Sequence, residues 1–442
     1  MTHDEKFERG LSLMLEAIAY AEQSPTAPIG AAEMERELNE LAGFRARPAF
    51  YPYLGSGVGR GARAMLADGR WVLDFALGIG VHLFGHGNLD LIETAIRAAA
   101  ADLVMQGNLI FNREYPALMK TILAHAPAGM DHCWLSLSGA DAAENGLKLM
   151  RQKRDGRPGV IAFRRCFHGR TSAMAEITDR PDYRRGQPRT FPVEYIPFYD
   201  RTDPNSAEKS LSALRQIIAG DGDRIGAFAT ELVQGEAGFI TAPGEFFVPL
   251  FEECRQAGIP IWADEIQTFG RVSELFATNL LGLGEYIDVI TIAKPLQGSA
   301  MLFRKEFTPD PALISGTFSG ATVAMAVGRR IIEKLTGEGY LGPDGREKQL
   351  ERLTRQHLAR LSEKYPGAVS NIDGIGVMIA FRVGDGSLKA TREFIHRCFN
   401  AGLVLYYGGH EPACVRLFVP VVTSEAELDD VFAIIERCLP PA

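Results

Sequence analysis

Two stretches decide the fold: residues 261–268 read Ile-Trp-Ala-Asp-Glu-Ile-Gln-Thr, and residues 290–296 read Ile-Thr-Ile-Ala-Lys-Pro-Leu. Each begins as a continuous apolar run, which is typical of a strand buried on both faces of a parallel sheet. The first run ends in Asp264, and Lys294 follows the second. Because ligands of an open α/β sheet bind beyond the carboxyl ends of its strands, the pattern predicts an acid and an amine that face one cleft.

Similar apolar runs alternate with amphipathic helical stretches before these two. Strands are predicted at residues 71–75, 134–137, 159–163, 225–232, 259–263 and 289–292. Helices are predicted at residues 89–103, 142–152, 244–256 and 321–335. This alternation predicts βα units around a mostly parallel central sheet, and therefore an α/β fold.

The ends of the chain follow different patterns. Residues 5–23 and 31–41 have helical apolar spacing, and after a glycine-rich break at 337–345 a helix at 346–364 precedes strands near 370–381 and 404–407 and a last helix from Ser424. A chain of 442 residues has room for two or three domains. We predict a helical arm with part of the small domain at 1–62, a large domain at 63–325 and a small α+β domain at 326–442.

The composition excludes several classes of function. A formal net charge of −8 gives no basic field for nucleic acid. The sequence has no apolar run long enough to span a membrane and no secretion signal at its polar start, so a cytosolic protein without membrane partners is expected. The six cysteines lack metal-site spacing, and no His, Asp or Glu set suggests a metal.

The predicted acid and amine are the two groups that a pyridine cofactor needs. An amine forms an imine with the cofactor's aldehyde and later carries a proton, and a carboxylate beside the ring nitrogen keeps that nitrogen protonated. A single lysine after a strand is usually a surface charge. Burying an unpaired lysine is costly unless its pKa falls or it bonds covalently, so the combination points to Lys294 and Asp264 as catalytic residues.

A small-residue turn, Ser138-Gly139-Ala140, links the predicted strand at 134–137 to the helix that follows. Backbone N–H groups at such a helix N-terminus form an anion site suited to a phosphate. Taken alone, the turn is also typical of an ordinary helix cap.

The block Phe167-His168-Gly169-Arg170-Thr171 follows the predicted strand at 159–163. An aromatic ring can stack on a pyridine, and the planar fork of Arg170 suits a substrate carboxylate. In isolation, Arg170 would more often be a surface residue or a structural ion-pair partner.

Together these blocks resemble the class III (omega) aminotransferases of the fold type I pyridoxal-phosphate (PLP) enzymes, and most of all the branch of ornithine, acetylornithine and 4-aminobutyrate aminotransferases. The resemblance runs in order from about residue 51 to 416 and is carried by blocks at residues 74–86, 138–141, 167–171, 231–236, 264–267, 293–294 and 316–320. It implies PLP as cofactor and a large domain with a mostly parallel central sheet plus a smaller α+β domain.

The resemblance also implies roles around the cofactor ring. Lys294 would carry PLP as a Schiff base, and Asp264 would face the pyridine nitrogen. Gln267 would hydrogen-bond to the ring hydroxyl, and Phe167, next to His168, would stack on the ring.

At the phosphate end, the backbone of Gly139 and Ala140, after Ser138, would hold the phosphate. Thr317 is similar to a family threonine that reaches the phosphate of the neighbouring subunit. The resemblance therefore implies a homodimer with active sites shared between subunits.

Four residues are similar to substrate-binding residues of that branch. Arg170 would bind the carboxylate of 2-oxoglutarate or glutamate, and Tyr51 is similar to a substrate-contacting tyrosine. Glu236 and Arg416 resemble a gating ion pair, which lets one pocket accept either a terminal amine or a dicarboxylate.

The implied function is transfer of an amino group from a primary amine or amino acid to a 2-oxo acid, with 2-oxoglutarate expected. Racemases, epimerases and aminomutases of the same fold also need Lys294 and Asp264 but no oxo-acid acceptor; Arg170 favours transfer. A non-catalytic scaffold is a third possibility, and the intact set of Lys, Asp, Gln and Thr argues against it. The loops after Gln267 and Lys294 depart from the family pattern, which bears on the range of substrates.

Overall fold

The computed structural model describes residues 3–20, 27–103, 109–409 and 411–440. The helices are α1 (His3–Tyr20), α2 (Ala31–Arg45), α3 (Leu77–Gly80), α4 (Leu89–Ala101), α5 (Glu114–His125), α6 (Gly139–Lys153), α7 (Ser172–Ile177), α8 (Ser206–Asp221), α9 (Gly244–Gln256), α10 (Ala277–Leu280), α11 (Thr322–Gly337), α12 (Arg346–Lys364), α13 (Leu388–Asn400) and α14 (Glu425–Cys438). The strands are β1 (Gly55–Arg60), β2 (Arg63–Leu66), β3 (Trp71–Asp74), β4 (His132–Ser136), β5 (Gly159–Phe163), β6 (Val193–Ile196), β7 (Ile225–Thr230), β8 (Val233–Gln234), β9 (Ile240–Thr241), β10 (Ile261–Asp264), β11 (Val289–Ile292), β12 (Ser299–Phe303), β13 (Val369–Ile375), β14 (Met378–Val383), β15 (Leu403–Val404), β16 (Tyr406–Gly409) and β17 (Ala413–Phe418).

A seven-stranded sheet with the order β4-β12-β11-β10-β7-β5-β6 carries the predicted βα units. The five strands from β11 to β6 are parallel, and β12 pairs antiparallel with both β11 and β4. The predicted α/β fold with a mostly parallel central sheet is therefore confirmed. The bounds of β5, β11, α9 and α12 coincide with the predicted ones.

The apolar runs form strands because both faces of this sheet are covered. In β5, Ile161 and Phe163 pack into one large apolar cluster, and Val160 and Ala162 pack into another on the opposite face. All four side chains have no exposed surface. Continuous burial of this kind removes the polar alternation of a half-exposed strand.

Smaller sheets join distant parts of the chain. One has the order β1-β2-β3-β15, and another has the order β13-β14-β17-β16. The first brings residues 403–404 beside residues 73–74 in parallel register. The predicted division into domains remains a prediction; its boundary at 62/63 falls between the paired strands β1 and β2, and its boundary at 325/326 falls inside α11.

Within the described residues, no helix combines the length and the apolarity that crossing a membrane requires.

Candidate active site

The carboxyl ends of β10 and β11 meet at the site. The two strands are parallel neighbours, Asp264 lies opposite Thr291, and Lys294 follows two residues after β11 ends. A cavity of about 490 Å³ opens at this edge, within the range usual for small-molecule sites. Nine of the predicted residues line it: Ser138, Gly139, Ala140, Phe167, His168, Arg170, Asp264, Gln267 and Lys294. The predicted convergence of acid and amine on one cleft is confirmed.

Asp264 is held by the imidazole of His168. Oδ2 of Asp264 lies 2.8 Å from Nδ1 of His168, and Oδ1 accepts a hydrogen bond from the backbone N–H of Ile266 at 3.1 Å. His168 is 1% exposed and its ring lies 4.8 Å from that of Trp262. Each carboxylate oxygen keeps a second lone pair for a further donor. The carboxylate is therefore fixed in orientation and still able to accept a proton-bearing ring nitrogen.

Lys294 is a buried amine with a perturbed pKa. Burial lowers the pKa of its ammonium group to about 7, although the negative charge of Glu236 opposes the shift. Nζ donates a hydrogen bond to the carbonyl oxygen of Ile79 at 3.0 Å. An amine with such a pKa has a substantial neutral fraction at physiological pH, and the neutral form is the state that attacks a carbonyl.

This pKa leads to a prediction for the apoprotein. Acylation of Lys294 by an amine-selective reagent is expected to become about tenfold slower for each pH unit below 7 and to level off above 7, because only the neutral amine reacts. Lys364 is the internal control: Glu436 raises its pKa, so its acylation should keep accelerating well above pH 7. Peptide mass spectrometry of the same samples reports both rates. Parallel pH profiles for the two lysines would contradict a depressed pKa at Lys294.

The carbonyl oxygen of Ile79, which accepts the hydrogen bond from Lys294, belongs to a left-handed turn. All four residues of α3 have positive φ, with values of 50° at Leu77, 62° at Gly78, 63° at Ile79 and 78° at Gly80. Lys294 itself has a φ of 51°. Residues other than glycine adopt this region at a cost of about 1–2 kcal/mol each. Such strain concentrates at functional sites, and here it lies on both sides of one hydrogen bond.

The start of α6 has the backbone arrangement that the predicted anion site requires. Ser138 caps the helix by accepting a hydrogen bond from the N–H of Asp141. Gly139 and Ala140 occupy the first turn, where backbone N–H groups have no acceptor inside the helix. A Cβ on Gly139 would lie 2.7 Å from Ile266, so glycine allows this turn to approach the loop after β10. Among the described residues these two N–H groups have no acceptor, so they are available to a phosphate at the cavity.

Gln267 supplies an unsatisfied acceptor in the same cavity. Its Oε1 is buried without a hydrogen-bond partner among the described residues, and its Nε2 makes only a long contact of 3.4 Å to Glu236. A ring hydroxyl has the proton that Oε1 lacks. Together with a fixed carboxylate, a lysine of lowered pKa and the helix N-terminus, this acceptor fits the functional groups of PLP.

Glu231 connects the two walls of the cavity. Its carboxylate accepts hydrogen bonds from the N–H of Phe167 at 2.9 Å and of Gly235 at 3.0 Å. Burial, reinforced by the charge of Asp264, raises the pKa of Glu231 well above its usual value. Glu231 thus fixes the backbone of Phe167 and of the loop that carries Glu236.

Glu236 and Arg416 form the predicted ion pair. Nη1 of Arg416 lies 2.9 Å from Oε1 of Glu236 and also donates to the carbonyl oxygen of Gly235. Burial acts to raise the pKa of Glu236, but Arg416 and Lys294 outweigh it, so the pKa lies below its usual value. Arg416 is fully buried, and its Nε and Nη2 have no partner among the described residues. The pair is closed and borders the cavity through Gln267.

Besides Glu236 and Arg416, which border the cavity without lining it, two further predicted residues lie outside its lining. The hydroxyl of Tyr51 donates to the carbonyl oxygen of Leu405 at 2.5 Å, and its ring stacks on Phe399 at 4.4 Å. Thr317 lies on the exposed surface next to Phe318. The substrate role of Tyr51 and the role of Thr317 towards a neighbouring subunit stay predictions.

Some residues around the site were not identified from the sequence. Arg271 is 1% exposed, donates to the carbonyl oxygen of Gln267 at 2.5 Å and lies over the ring of Phe418. A Cβ on Gly80 would lie 2.8 Å from its Nη2, so the left-handed turn packs directly on Arg271. The two glycines of the turn, Gly78 and Gly80, were the only local signal in the sequence for this contact.

The comparison with known families decides the identity. The family model described as Aminotransferase class-III matches residues 54–439. The chain is a class III aminotransferase. The predicted family and the dependence on PLP are thereby confirmed, and the aminotransferase is a catalyst rather than a scaffold.

Several relatives of this class III aminotransferase have names that state their activity. The 2-aminoadipate transaminase of Pseudomonas putida is 31% identical over 405 residues, which cover 86% of this chain and 94% of that protein. An acetylornithine aminotransferase of Archaeoglobus fulgidus is 30% identical over 380 residues, which cover 84% of this chain and 92% of that protein. Both are transaminases, in agreement with amino-group transfer.

Solved structures share the fold of this class III aminotransferase. Lysine aminotransferase from M. tuberculosis in the internal aldimine form has a TM-score of 0.82 at 22% identity and covers 92% of this chain and 99% of its own. Taurine:2-oxoglutarate aminotransferase from Bifidobacterium kashiwanohense, in complex with PLP and glutamate, has a TM-score of 0.78 at 18% identity and covers 86% of this chain and 91% of its own. At these identities, the likeness concerns the fold alone.

Proposed function

We propose that this aminotransferase moves an amino group from a primary amine or amino acid of the ornithine, acetylornithine or ω-amino-acid type to 2-oxoglutarate. The observation that carries the proposal is the closed Glu236–Arg416 ion pair beside the cavity of Lys294. An acid and a base in contact offer one site to two kinds of substrate: a tail with an amine or a tail with a carboxylate.

The roles of the residues in the transfer follow from the contacts described above. PLP, when bound, supplies an electron sink for the carbon that loses its proton. Asp264, oriented by His168, would keep a proton on the ring nitrogen. Gln267 would accept from the ring hydroxyl, and the N–H groups of Gly139 and Ala140 would hold the phosphate. Lys294, whose lowered pKa gives it a substantial neutral fraction at physiological pH, would take the proton from the donor carbon and deliver it to the cofactor's aldehyde carbon, a 1,3-proton shift.

The ion pair would sort the two substrates. With the pair closed, Glu236 neutralises Arg416 and offers its second oxygen to the amine of a donor tail. With the pair open, the two unpartnered nitrogens of Arg416 and its Nη1 can meet the carboxylate of the oxo acid. Making or breaking one salt bridge therefore changes which tail the site accepts. The names of the relatives, which include 5-aminovalerate and diaminobutyrate–2-oxoglutarate aminotransferases, support such substrates.

A panel of amine donors with 2-oxoglutarate tests the proposed function. Production of glutamate in stoichiometric amounts with loss of the donor is the expected result for at least one donor of the stated type. Racemisation or migration of the amino group without any oxo acid would instead identify a racemase or an aminomutase.

Arg170 provides the sharpest test of the acceptor. Replacing Arg170 with alanine is expected to lower kcat/KM for 2-oxoglutarate by about 10- to 100-fold, the usual cost of losing charge-assisted hydrogen bonds to a carboxylate. Pyruvate lacks the second carboxylate, so its kcat/KM should change less. Steady-state kinetics with both acceptors measures the difference. Full activity of the variant with 2-oxoglutarate would refute the proposed role.

A shared homodimer remains part of the proposal. Large apolar side chains are exposed around the exposed Thr317 and in the segment before α5, with fractions of 62% at Leu103, 85% at Leu109, 60% at Ile110, 51% at Phe111 and 57% at Phe318. Exposed apolar surface of this kind marks a contact with a partner. A second subunit that covered this apolar surface would lie next to Thr317. Thr317 could then reach the active site of that subunit, as predicted. A location in the cytosol is also part of the proposal.

A further inference from the structure

The guanidinium group of Arg170 stacks on the ring of Tyr183, a residue with no role in the proposed reaction. The guanidinium carbon lies 3.5 Å from the centre of the Tyr183 ring. Within the part of the chain that the structure describes, Arg170 makes no ion pair and this stacking is its contact. The side chain is exposed and lines the cavity. A long, exposed arginine without a carboxylate partner normally samples many rotamers, so the ring is what orders it.

The backbone that carries Tyr183 is held by hydrogen bonds of its own. Tyr183 lies in a one-turn 3₁₀ helix, Pro181–Arg184, and its N–H donates to the carbonyl oxygen of Arg180 at 3.0 Å. Nη1 of Arg184 donates to the carbonyl oxygen of Thr178 at 3.1 Å and ties this turn to the end of α7. The position of Tyr183 is thus set by the turn and does not depend on Arg170.

Tyr183 also meets the aromatic wall of the cofactor cavity. Its ring stands edge-on to Phe167, with the centroids 6.1 Å apart and the planes at 89°. One ring therefore contacts both the predicted stacking residue and the predicted carboxylate-binding residue. Tyr183 is not among the residues that line the cavity, so any effect on the substrate passes through its two neighbours there. An effect through Phe167 would change kcat and the parameters for every acceptor, whereas an effect through Arg170 would change the binding of dicarboxylates alone.

We propose that Tyr183 is a positioning residue that holds Arg170 ready for the carboxylate of a dicarboxylic oxo acid and so favours such acceptors over monocarboxylic ones. Stacking covers one face of the guanidinium and leaves the N–H edges free, and these edges are the groups that pair with a carboxylate. The inference rests on the proposed role of Arg170. It adds that the selectivity is built by a residue outside the cavity, through the π face and not the hydroxyl.

Two matched substitutions of Tyr183 test this inference in the holoenzyme. Tyr183→Phe keeps the π face, and Tyr183→Leu keeps an apolar side chain without one. Arg185→Ala, two residues further along the chain at an exposed position, is the control, since it removes a surface ion pair with Asp182. Glutarate, an unreactive dicarboxylate, is the probe, and its Kd is measured by calorimetry alongside the kinetic constants KM and kcat with 2-oxoglutarate and with pyruvate.

The expected result for Tyr183→Leu is a rise of about 3- to 10-fold both in the Kd of glutarate and in the Michaelis constant for 2-oxoglutarate, which corresponds to a partly exposed cation–π contact and one immobilised side chain. The kcat and the pyruvate parameters should stay unchanged, and Tyr183→Phe and Arg185→Ala should behave as the unaltered enzyme. Tyr183→Ala serves as a second variant without a π face and should match Tyr183→Leu.

The outcomes separate this inference from the proposed function. If Arg170→Ala weakens glutarate binding but Tyr183→Leu and Tyr183→Ala do not, Tyr183 is not a positioning residue. A loss in Tyr183→Phe as large as that in Tyr183→Leu overturns the role of the π face. If Arg170→Ala itself changes neither glutarate binding nor the Michaelis constant for 2-oxoglutarate, the role of Arg170 fails, and the inference fails with it.

Discussion

Replacing Lys294 with alanine is expected to lower kcat for amino-group transfer by about 100- to 10,000-fold. That range is what a positioned proton-transfer group contributes, and Lys294 is also the amine that would hold the cofactor covalently. No other lysine lines the cavity formed by the described residues. The visible absorbance of the lysine-bound cofactor should disappear in the same variant, while PLP can still bind through the phosphate site and Asp264.

The Lys294 experiment has a matched control and a rescue. Lys305 lies on the exposed surface, and its contact with Asp131 is made by its backbone N–H, so Lys305→Ala should keep both activity and absorbance. Small primary amines in solution should restore part of the activity of Lys294→Ala, because they replace the missing base. An Ala variant with the kcat of the unaltered enzyme would show that another group moves the proton.

The sequence was sufficient to predict the parts of the fold with strong periodicity. Strands β5 and β11 and helices α9 and α12 could be bounded to the residue because each is an uninterrupted apolar or amphipathic run. Strand β12 was missed, although it lies antiparallel between β11 and β4. It follows the Lys294 loop after only a few residues and was interpreted as part of that loop. Helix α13 and strand β6 were also not predicted.

The residues of the site likewise fall into those that the sequence could predict and those that it could not. Residues that follow strands or begin a helix could be placed together, because parallel strands bring their carboxyl ends to one edge. Contacts between segments far apart in the chain carry no local signal. The hydrogen bond from Lys294 to Ile79, the packing of Arg271 on the turn at Gly80 and the stacking of Arg170 on Tyr183 are all of this kind. The pairing of His168 with Asp264 is likewise visible only in three dimensions.

Replacing Asp264 with asparagine is the second substitution with a large expected effect. The two side chains have nearly the same shape, so the variant removes the negative charge and leaves the size of the residue. Oδ1 of asparagine can still accept from the N–H of Ile266. The charge that would keep a proton on the ring nitrogen is lost, and the electron sink is weakened. We expect kcat to fall by about 100- to 1,000-fold, the usual cost of removing one preorganised electrostatic partner.

Two comparisons separate this electrostatic role from a structural one. Asp310→Asn makes the same chemical change on the exposed surface and should leave kcat unchanged. His168→Ala removes the group that orients Asp264 and keeps the charge, so its loss of kcat should be smaller than that of Asp264→Asn. Cofactor content and the thermal unfolding midpoint are measured on each variant, so that kcat refers to loaded, folded enzyme.

The relative losses of kcat in Asp264→Asn, His168→Ala and Asp310→Asn decide the role of Asp264. A loss for His168→Ala as large as for Asp264→Asn would mean that orientation, and not charge, limits the reaction. Unchanged kcat in loaded Asp264→Asn would remove Asp264 from the chemistry altogether, since Glu231 is the one other carboxylate that lines the cavity among the described residues. Glu231 already accepts from two backbone N–H groups, and burial raises its pKa and so favours its protonated form. The raised pKa disfavours a second negative charge at Glu231, so protonation of the ring nitrogen would depend on Asp264.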